Sequence, residues 1–394
     1  MGRHPALKQR QGGPVGRLVP HDLPVEHRPA EPPAPRGHHP WEGWSDTCRE
    51  VARHGGIPET SFWPYIARRW GFGLHLVEDL LAEDAEHPFR DAFWASRAPC
   101  PEAITAPAYV VASYSDQGLH TRGTLEGFTR IASELKWLEV HGGKRWGYYH
   151  SDEGLGRQVA FFDHFLKGVD NDVPSWPTVR FDFRDDHRSA TRKEATGWPV
   201  PDAEDVVRHL DAATGTLSAR TPSDEAVVEY DSEQLGRARR RATFDWRFDE
   251  PAELVGGARL HLWVSSPDAD DLDLFVALQK LDRYGDPVGF NYYAVFLDGP
   301  VALGWLRASH RELDTARSTS NQPVLLHQRE LKIPPGRRRA RGDRDPPLRH
   351  PFRGGRDAPA RRPGHRHLPA PPAAHPSRPR SARERRPAPD PHRW

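Results

Sequence analysis

The sequence has few of the residues and runs that mark several large classes of protein. Only two cysteines, Cys48 and Cys100, occur in 394 residues, so we expect neither a disulfide framework nor a metal site. We also expect no cofactor. No apolar run is long enough to span a bilayer, and residues 1–39 lack the apolar segment of a signal peptide. We therefore expect free or buried thiols and a location in the cytoplasm.

Aromatic residues are almost missing from both ends of the chain. Residues 1–39 contain 8 of the 40 prolines and no Phe, Trp or Tyr. Residues 334–394 contain 15 prolines and 17 arginines, but only two aromatic residues, Phe352 and Trp394. Segments of this composition cannot bury enough apolar surface to offset the entropy of ordering. We expect both ends to be disordered and the middle of the chain to be folded.

The formal net charge of +1 conceals an uneven distribution. The segment 1–39 has 6 basic and 3 acidic side chains, and 334–394 has 17 basic and 5 acidic ones, which leaves about −14 for the middle. The basic tail could contact the phosphates of nucleic acid. Because it has neither interleaved aromatic residues nor a folded scaffold, the sequence argues against a nucleic-acid-binding function.

Residues 40–169 show the alternation of strand and helix that is typical of a parallel α/β sheet. Apolar runs at Ala108–Ser113 and Trp137–Val140 predict two buried strands. Apolar residues at helical spacing predict three helices around them: Leu74, Val77, Leu80 and Leu81; Leu125, Phe128, Ile131 and Leu135; and Val159, Phe162, Phe165 and Leu166, the last helix ending near Gly168. The fold class of this part is α/β.

Residues 170–333 change to the pattern of an all-β domain. Apolar residues alternate with others over residues 260–264, as in a strand with one buried face. Further strands are predicted at Asp273–Leu281 and Tyr292–Leu297, separated by the turn sequence Tyr284–Pro287. The simplest fold for this part is a β-sandwich.

An acid and a histidine follow the two predicted parallel strands. Asp116 comes shortly after Ser113, and His141 directly follows Val140. The carboxyl ends of parallel strands meet at one edge of a sheet, where sites form. There a carboxylate can fix a histidine tautomer, and the histidine can take a proton from a hydroxyl nucleophile. The same pattern also fits an aspartate in a turn and a histidine on the surface.

Several motifs resemble, in the same order, those of the cocaine-esterase-like and X-Pro dipeptidyl-peptidase-like serine hydrolases. They are Pro40–Asp46, Arg49–Ala52, His54–Pro58, Ser115–Gly118, Trp137–Gly142, Phe161–Gly168, Asp271–Val276 and Gly304–His310. The resemblance covers roughly residues 40–333. It implies an α/β-hydrolase domain with an inserted helical cap at about 58–104, followed by a jelly-roll β-sandwich. It also implies hydrolysis of esters or amides through an acyl-enzyme, with Asp116 and His141 as the acid and the base.

The nucleophile of that family has no counterpart here. In the family, a serine in a Gly-x-Ser-Tyr elbow precedes the block that Pro40–Gly43 matches, and residues 1–39 contain no such elbow. Gly43-Trp44-Ser45 is not a substitute, because Thr47 stands where the elbow needs a small residue. The sequence therefore predicts an acid and a base without a nucleophile, and little or no activity.

A shift of the reading frame would explain why the elbow is missing. Back-translated and shifted forward by one nucleotide, the segment after Gln9 can encode a strand, a Gly-x-Ser-Tyr elbow and the start of a helix. The same shift after Arg337 allows alternating strands that would complete the jelly-roll. We interpret 1–39 and 334–394 as out-of-frame translations flanking an in-frame core. The hydrolase domain and the jelly-roll would then both be incomplete.

Two functions follow from the sequence. One is a serine hydrolase of this family, impaired by the missing serine, which takes a small ester or a short peptide as substrate. The other is a non-catalytic jelly-roll binding protein with a basic disordered tail. The oligomeric state and the identity of the substrate stay open.

The nucleotide sequence of the gene tests the reading-frame hypothesis. Read one nucleotide forward, codons 1–40 should encode the Gly-x-Ser-Tyr elbow, and codons 330–394 should encode the missing strands. Sequencing of the gene checks both ends at once. Shifted frames that encode neither segment would show the hypothesis to be wrong.

Overall fold

The computed structural model describes residues 36–70, 78–232, 241–293, 295–319 and 322–335, and the backbone of 348–353. These residues form two compact units. One contains the described residues up to Val207 and those from Trp246 onward, and the other contains the described residues of 208–245. Most of the two predicted disordered ends, and the predicted helical positions Leu74 and Val77, lie outside the described residues.

Among the described residues, the α-helices lie in the first half of the chain and most of the strands lie in the second. The α-helices are α1 (Phe62–Trp70), α2 (Leu80–Glu86), α3 (Ala92–Arg97), α4 (Thr121–Arg130), α5 (Arg145–Tyr149) and α6 (Asp152–Lys167). The strands are β1 (Arg53–His54), β2 (Ile57–Pro58), β3 (Ala108–Ser113), β4 (Lys136–His141), β5 (Val179–Arg184), β6 (Ala190–Ala195), β7 (His209–Asp211), β8 (Thr216–Ser218), β9 (Gly257–Leu262), β10 (Asp273–Leu278), β11 (Lys280–Leu281), β12 (Pro287–Val288), β13 (Phe290–Tyr292), β14 (Phe296–Gly299), β15 (Ala302–Arg307) and β16 (Leu348–Arg353). Within the described ranges, no helix has the length and apolar character needed to cross a membrane.

The main sheet has the order β3-β4-β5-β6 and confirms the α/β class. β3 and β4 are parallel, and the register pairs Ser113 with His141 at their carboxyl ends. β5 is parallel to β4, and β6 is antiparallel to β5. On the other side of β3, the segment 38–41 runs parallel to it through bridges of His38 and Trp41. Four parallel segments, namely 38–41, β3, β4 and β5, therefore end at the same edge of the sheet.

The predicted boundary at residue 170 divides this sheet. β5 and β6 follow that boundary in sequence, yet their backbone groups bond to the α/β sheet. The sequence predicted neither strand, and a change of pattern along the chain does not indicate which sheet a later strand joins.

Successive side chains of β3 and β4 point to opposite faces of the sheet and pack into two separate parts of the core. Val110 and Leu138 pack with Leu125 and Phe128 of α4 on one face. On the other face, Tyr109, Val111 and Trp137 pack against Phe161 of α6, which is fully buried. Both strands are buried on both faces, as the continuous apolar runs predicted.

The predicted extents of two helices need correction. α4 ends at Arg130, and Leu135 is about half exposed instead of belonging to its apolar face. The Lys136 ammonium donates to the carbonyls of Phe128 and Ile131 and so caps the end of the helix. β4 begins at this same residue. In α6, Phe161 takes the buried position.

Val159 and Leu166 of the predicted α6 face are exposed, while Phe162 and Phe165 are partly buried. Neighbouring aromatic residues offer more than one apolar face, so spacing alone could not choose between them. The helix does end where predicted, at Gly168 in the left-handed conformation.

The β-rich part is built from antiparallel pairs. β10 pairs with β15 over six residues each, and β11 and β12 form the hairpin around the predicted turn. The predicted strand Tyr292–Leu297 is wrong, because Tyr293 has a positive φ of 47° and the chain turns there. β13 and β14 pair across that turn instead.

One strand lies inside the segment that was predicted to be disordered. β16 pairs antiparallel with β9, from Leu348 opposite Leu262 to Arg353 opposite Gly257. Composition did not predict this strand, because backbone pairing at a sheet edge uses N–H and C=O groups, which all of its residues carry except for the N–H of Pro351. The rest of 336–394 lies outside the described residues.

The second unit is small. β7 and β8 form a hairpin around Gly215, whose φ is 68°. Asp245 adds a bridge to Thr216.

A cluster of charged side chains around a buried glutamate stabilises the main sheet. Glu139 of β4 has no exposed surface. Its carboxylate contacts three arginine side chains: Arg157 at 2.8 Å, Arg180 at 2.6 Å and Arg192 at 2.7 Å. The hydroxyls of Tyr109 and Tyr148 also donate to it. We call these six residues the Glu139 cluster.

The cluster makes Glu139 strongly acidic. Burial opposes its ionisation, but the charges of Arg180 and Arg157 outweigh burial and lower the pKa of Glu139 to about 2. A carboxylate with a depressed folded-state pKa stabilises the fold above its unfolded pKa, and this contribution is lost as pH falls toward the folded value.

We expect Glu139→Gln to destabilise the protein by about 3–5 kcal/mol at neutral pH, because it leaves three partly buried arginines without their buried carboxylate. The loss should shrink as pH falls from about 4.5 to 2, because in this range the unfolded chain binds a proton on Glu139 that the folded chain binds only near pH 2. Urea unfolding across this pH range measures both effects.

Glu153→Gln is the matched control. Glu153 pairs with Arg180 at 2.6 Å but is about half exposed, so its loss should cost less than about 1 kcal/mol. Equal losses for the two variants would contradict the role given to burial.

A glycine turn packs the α/β part against β15. Gly55 has a φ of 59°, and a Cβ at this position would lie 1.9 Å from the carbonyl oxygen of Trp305. The Gly55 carbonyl accepts from the Arg307 N–H at 2.9 Å. The adjacent Gly56 has a φ of 87°, and its Cβ would lie 2.5 Å from the His310 ring. Both glycines are needed for this close approach.

We expect Gly55→Ala to lower the free energy of unfolding by about 2–4 kcal/mol, through backbone strain and overlap with Trp305 together. Gly168→Ala, at a φ of 70° with no atom near the added Cβ, should cost about 1 kcal/mol from strain alone. Thermal unfolding of the two variants separates overlap from strain, and similar losses would contradict the packing argument.

Candidate active site

The structure places the predicted acid and base at the edge where the parallel segments end. His141 is the last residue of β4, opposite Ser113 of β3. Asp116 lies three residues beyond β3, and its carbonyl accepts the N–H groups of Leu119, His120 and Thr121 at the start of α4. Both side chains are buried. The strand ends therefore position them as the sequence predicted.

The Asp116 carboxylate is paired with an arginine. Arg145, the first residue of α5, has its Nη1 atom 2.9 Å from Oδ2 of Asp116. Burial raises the pKa of Asp116, and the Arg145 charge opposes this rise. Sequence reasoning missed Arg145, although its position four residues after His141 already placed it near this edge of the sheet.

The His141 ring is held by stacking and lacks a hydrogen bond. It stacks on Tyr148 with ring centroids 4.4 Å apart, and Trp41 lies at 6.1 Å. Among the described residues, neither ring nitrogen has a hydrogen-bond partner. Burial lowers the pKa of His141 to about 4. The imidazole is therefore neutral at neutral pH, which is the form that can accept a proton.

No hydrogen bond joins Asp116 to His141 within the described part of the chain. The carboxylate next to His141 belongs to Glu42, whose Oε1 lies 3.9 Å from Nε2. Asp116 and His141 thus share an edge, but their predicted direct contact is absent while Arg145 holds the Asp116 carboxylate.

Glu42 is the second residue that sequence reasoning missed as part of the site. It follows the parallel segment 38–41, and its N–H donates to the Val111 carbonyl at 2.9 Å. Its φ is 55°, which turns the chain away from the sheet into Gly43. The side chain is buried, and neither carboxylate oxygen has a partner among the described residues. Burial, and then Asp116, raise the pKa of Glu42 well above its usual value.

Tyr293 brings the β-rich part into the site. Its N–H donates to the Ser115 carbonyl at 2.7 Å, and its hydroxyl lies 2.1 Å from the place that a Cβ on Gly118 would take. Gly118 is therefore required for this approach. No sequence signal joins residues so far apart, so only the fold reveals the contact.

The serines near the edge are bonded elsewhere. The Ser45 hydroxyl donates to Glu50 at 2.8 Å. The Ser113 hydroxyl donates to the Gly143 carbonyl at 2.9 Å, and Ser115 pairs with Ser113 at 2.6 Å. Since both His141 nitrogens are without a partner among the described residues, none of these hydroxyls is placed as a nucleophile activated by His141.

A metal-based site finds no support in the part of the chain that the structure describes. It contains no group of three or more His, Cys, Asp or Glu side chains placed to hold a metal ion. Both Cys48 and Cys100 are free.

Comparison with known proteins identifies relatives of both parts of the chain. Residues 171–338 match the family model of the X-Pro dipeptidyl-peptidase C-terminal non-catalytic domain. Two solved structures of a CocE/NonD family hydrolase from Staphylococcus aureus are 41% identical to this chain, with TM-scores of 0.76 and 0.75. The search of curated proteins gave no match.

The alignment covers a larger share of this chain than of its relatives. It covers 82% and 81% of this chain but only 57% of each of the two Staphylococcus chains. The chain thus spans little more than half the length of those relatives. Within that span, the α/β sheet and the β-rich part follow their fold, with a jelly-roll as the C-terminal domain. Over the matched residues, the chain is similar to the CocE/NonD family hydrolases and to the X-Pro dipeptidyl-peptidase C-terminal domain.

Proposed function

We propose that the site is that of a serine-type acyl hydrolase acting on small esters or short peptides. In this proposal His141 is the base and Asp116 is the acid of the catalytic group. The two unpaired cysteines fit a reducing compartment such as the cytoplasm.

The observation that carries the proposal is the state of His141. Its ring is buried at the carboxyl edge of a parallel sheet, with both nitrogens unpartnered among the described residues and carboxylates on neighbouring segments. Burying an imidazole without hydrogen bonds costs free energy, so a structural role alone gives no reason to keep it there. A base that takes a proton from a hydroxyl during acyl transfer requires a nitrogen that is not occupied by another hydrogen bond.

We further propose that this chain is impaired as a catalyst. The serines closest to the edge donate to other acceptors, and the sequence contains no Gly-x-Ser-Tyr elbow. An acid and a base without a nucleophile leave only the residual rate that binding and oxyanion groups supply. The same observation supports the second candidate, a non-catalytic jelly-roll protein that binds a partner.

We expect the purified chain to hydrolyse p-nitrophenyl esters no faster than the buffer and to resist labelling by a fluorophosphonate probe. The reason is that, among the described residues, no serine hydroxyl is bonded to His141. Ester release followed by absorbance, with labelling followed by mass spectrometry, checks both statements.

His141→Gln serves as the control for a positive result. Hydrolysis that disappears in this variant, with a labelled serine mapped by mass spectrometry, would show that the chain carries its own nucleophile and would contradict the proposed impairment. Hydrolysis that persists would locate the activity outside this site.

A further inference from the structure

A cleft that the candidate active site does not use lies beside the start of α4 and strand β15. Its walls come from the segment 49–55, from the residues between β3 and α4 with the first turn of α4, and from β15. Asp116 and His141 are not among its lining residues. Its empty space of about 570 Å³ includes open solvent, so a small molecule can enter from outside.

One part of the lining is apolar and continues onto an exposed strand face. Leu119, Leu303 and Trp305 line the cleft. In the antiparallel register of β10 and β15, Phe275 lies directly opposite Trp305, and residues in such a pair share a face of the sheet. Phe275 is 69% exposed. The apolar surface therefore extends beyond the cleft, and its indole and phenyl rings suit a ligand with a planar apolar body.

Arg122 contributes a guanidinium to the same lining. Of the described lining residues, Glu50 alone carries a carboxylate. Its oxygens accept from the N–H of Ser45 at 2.7 Å, from the Ser45 hydroxyl at 2.8 Å and from the N–H of Asp46 at 3.1 Å. Burial raises the pKa of Glu50, and the Arg122 charge opposes this rise. The two groups thus interact electrostatically, but within the described ranges they form no ion pair.

The other arginine of the lining is fully engaged by the protein. Nη1 of Arg49 lies 2.5 Å from Oδ2 of Asp46, and Nη2 donates to the Leu325 carbonyl at 2.8 Å. Arg122 is therefore the guanidinium that a ligand in the cleft can reach without displacing a bond within the described part of the chain.

A neutral histidine adds a second polar group. The ring of His54 packs on Trp305 with centroids 4.9 Å apart, and it makes no hydrogen bond to another described residue. Burial, and then the charge of Arg122, lower the pKa of His54 to about 4. At neutral pH the imidazole is uncharged and carries one N–H donor. A guanidinium and an N–H donor in one cleft suit an anionic acceptor.

We propose that this cleft binds a small carboxylate with a planar apolar body. The planar fork of Arg122 matches the two oxygens of a carboxylate, His54 donates to the same group, and the body lies on Trp305. One available guanidinium near the Glu50 carboxylate favours a monoanion over the dianion of phosphate. Binding here does not depend on the proposed hydrolase activity, because neither Asp116 nor His141 lines the cleft.

Isothermal titration calorimetry of the full chain at pH 7 tests this site with three probes: 3-phenylpropanoate, its neutral amide and inorganic phosphate. We expect saturable binding of the acid and at least about tenfold weaker binding of the amide and of phosphate, since only the acid offers both a carboxylate and an apolar body. Arg122→Gln should weaken binding of the acid by at least about tenfold. Arg122→Lys should weaken it less, because the ammonium keeps the charge without the fork.

Arg247→Gln is the matched control. It removes the same charge from a side chain that is 81% exposed and lies outside the cleft, so the affinity for the acid should not change. Equal losses in Arg247→Gln and Arg122→Gln, or no loss in either, would overturn the proposal. So would a native chain that binds the acid no better than the amide or phosphate, or that shows no saturable binding. These probes are compared on the native chain, so they decide the question even if an Arg122 variant fails to fold.

Discussion

The parallel hydrogen-bond register of the segment 38–41, β3 and β4 is the constraint on which the candidate site depends. It brings Glu42 and Asp116, which follow two of these segments, and His141, the last residue of β4, to one edge of the sheet. Successive side chains on a strand point to opposite faces, so a shift by one residue would turn His141 to the opposite face. The buried runs in β3 and β4 resist such a shift because each residue has its own packing partners.

The sequence predicted this edge because the information for it is local. Ala108–Ser113 and Trp137–Val140 are the short runs that predicted the two strands without knowledge of the fold, and Asp116 and His141 come shortly after them in the sequence. The partners of those residues could not be predicted in the same way. The pairing of Asp116 with Arg145 and the approach of Glu42 to His141 depend on distances between separate elements, which a linear pattern does not contain.

The end of α4 and the predicted strand through Tyr293, both corrected by the structure, show the same limit of a linear pattern. Leu135 fits a helical spacing with Phe128, but the Lys136 side chain bonds the carbonyls at the end of α4 and the chain leaves the helix. The predicted strand through Tyr293 breaks because its N–H bonds Ser115, which lies far away in the sequence. In each case a polar contact that no periodicity encodes determines where the element ends.

Charge compensation on β4 connects the stability of the fold to the chemistry of the site. Glu139 and His141 are two residues apart and therefore share a face of the strand. The three arginines keep Glu139 ionised, and Tyr148, which donates to Glu139, also provides the surface on which the His141 ring stacks. The orientation of the ring is thus held by a cluster that does not occupy its nitrogens. This arrangement lets His141 remain buried, ordered and free to exchange a proton, whereas direct bonding to a cluster residue would have used the nitrogen that the chemistry needs.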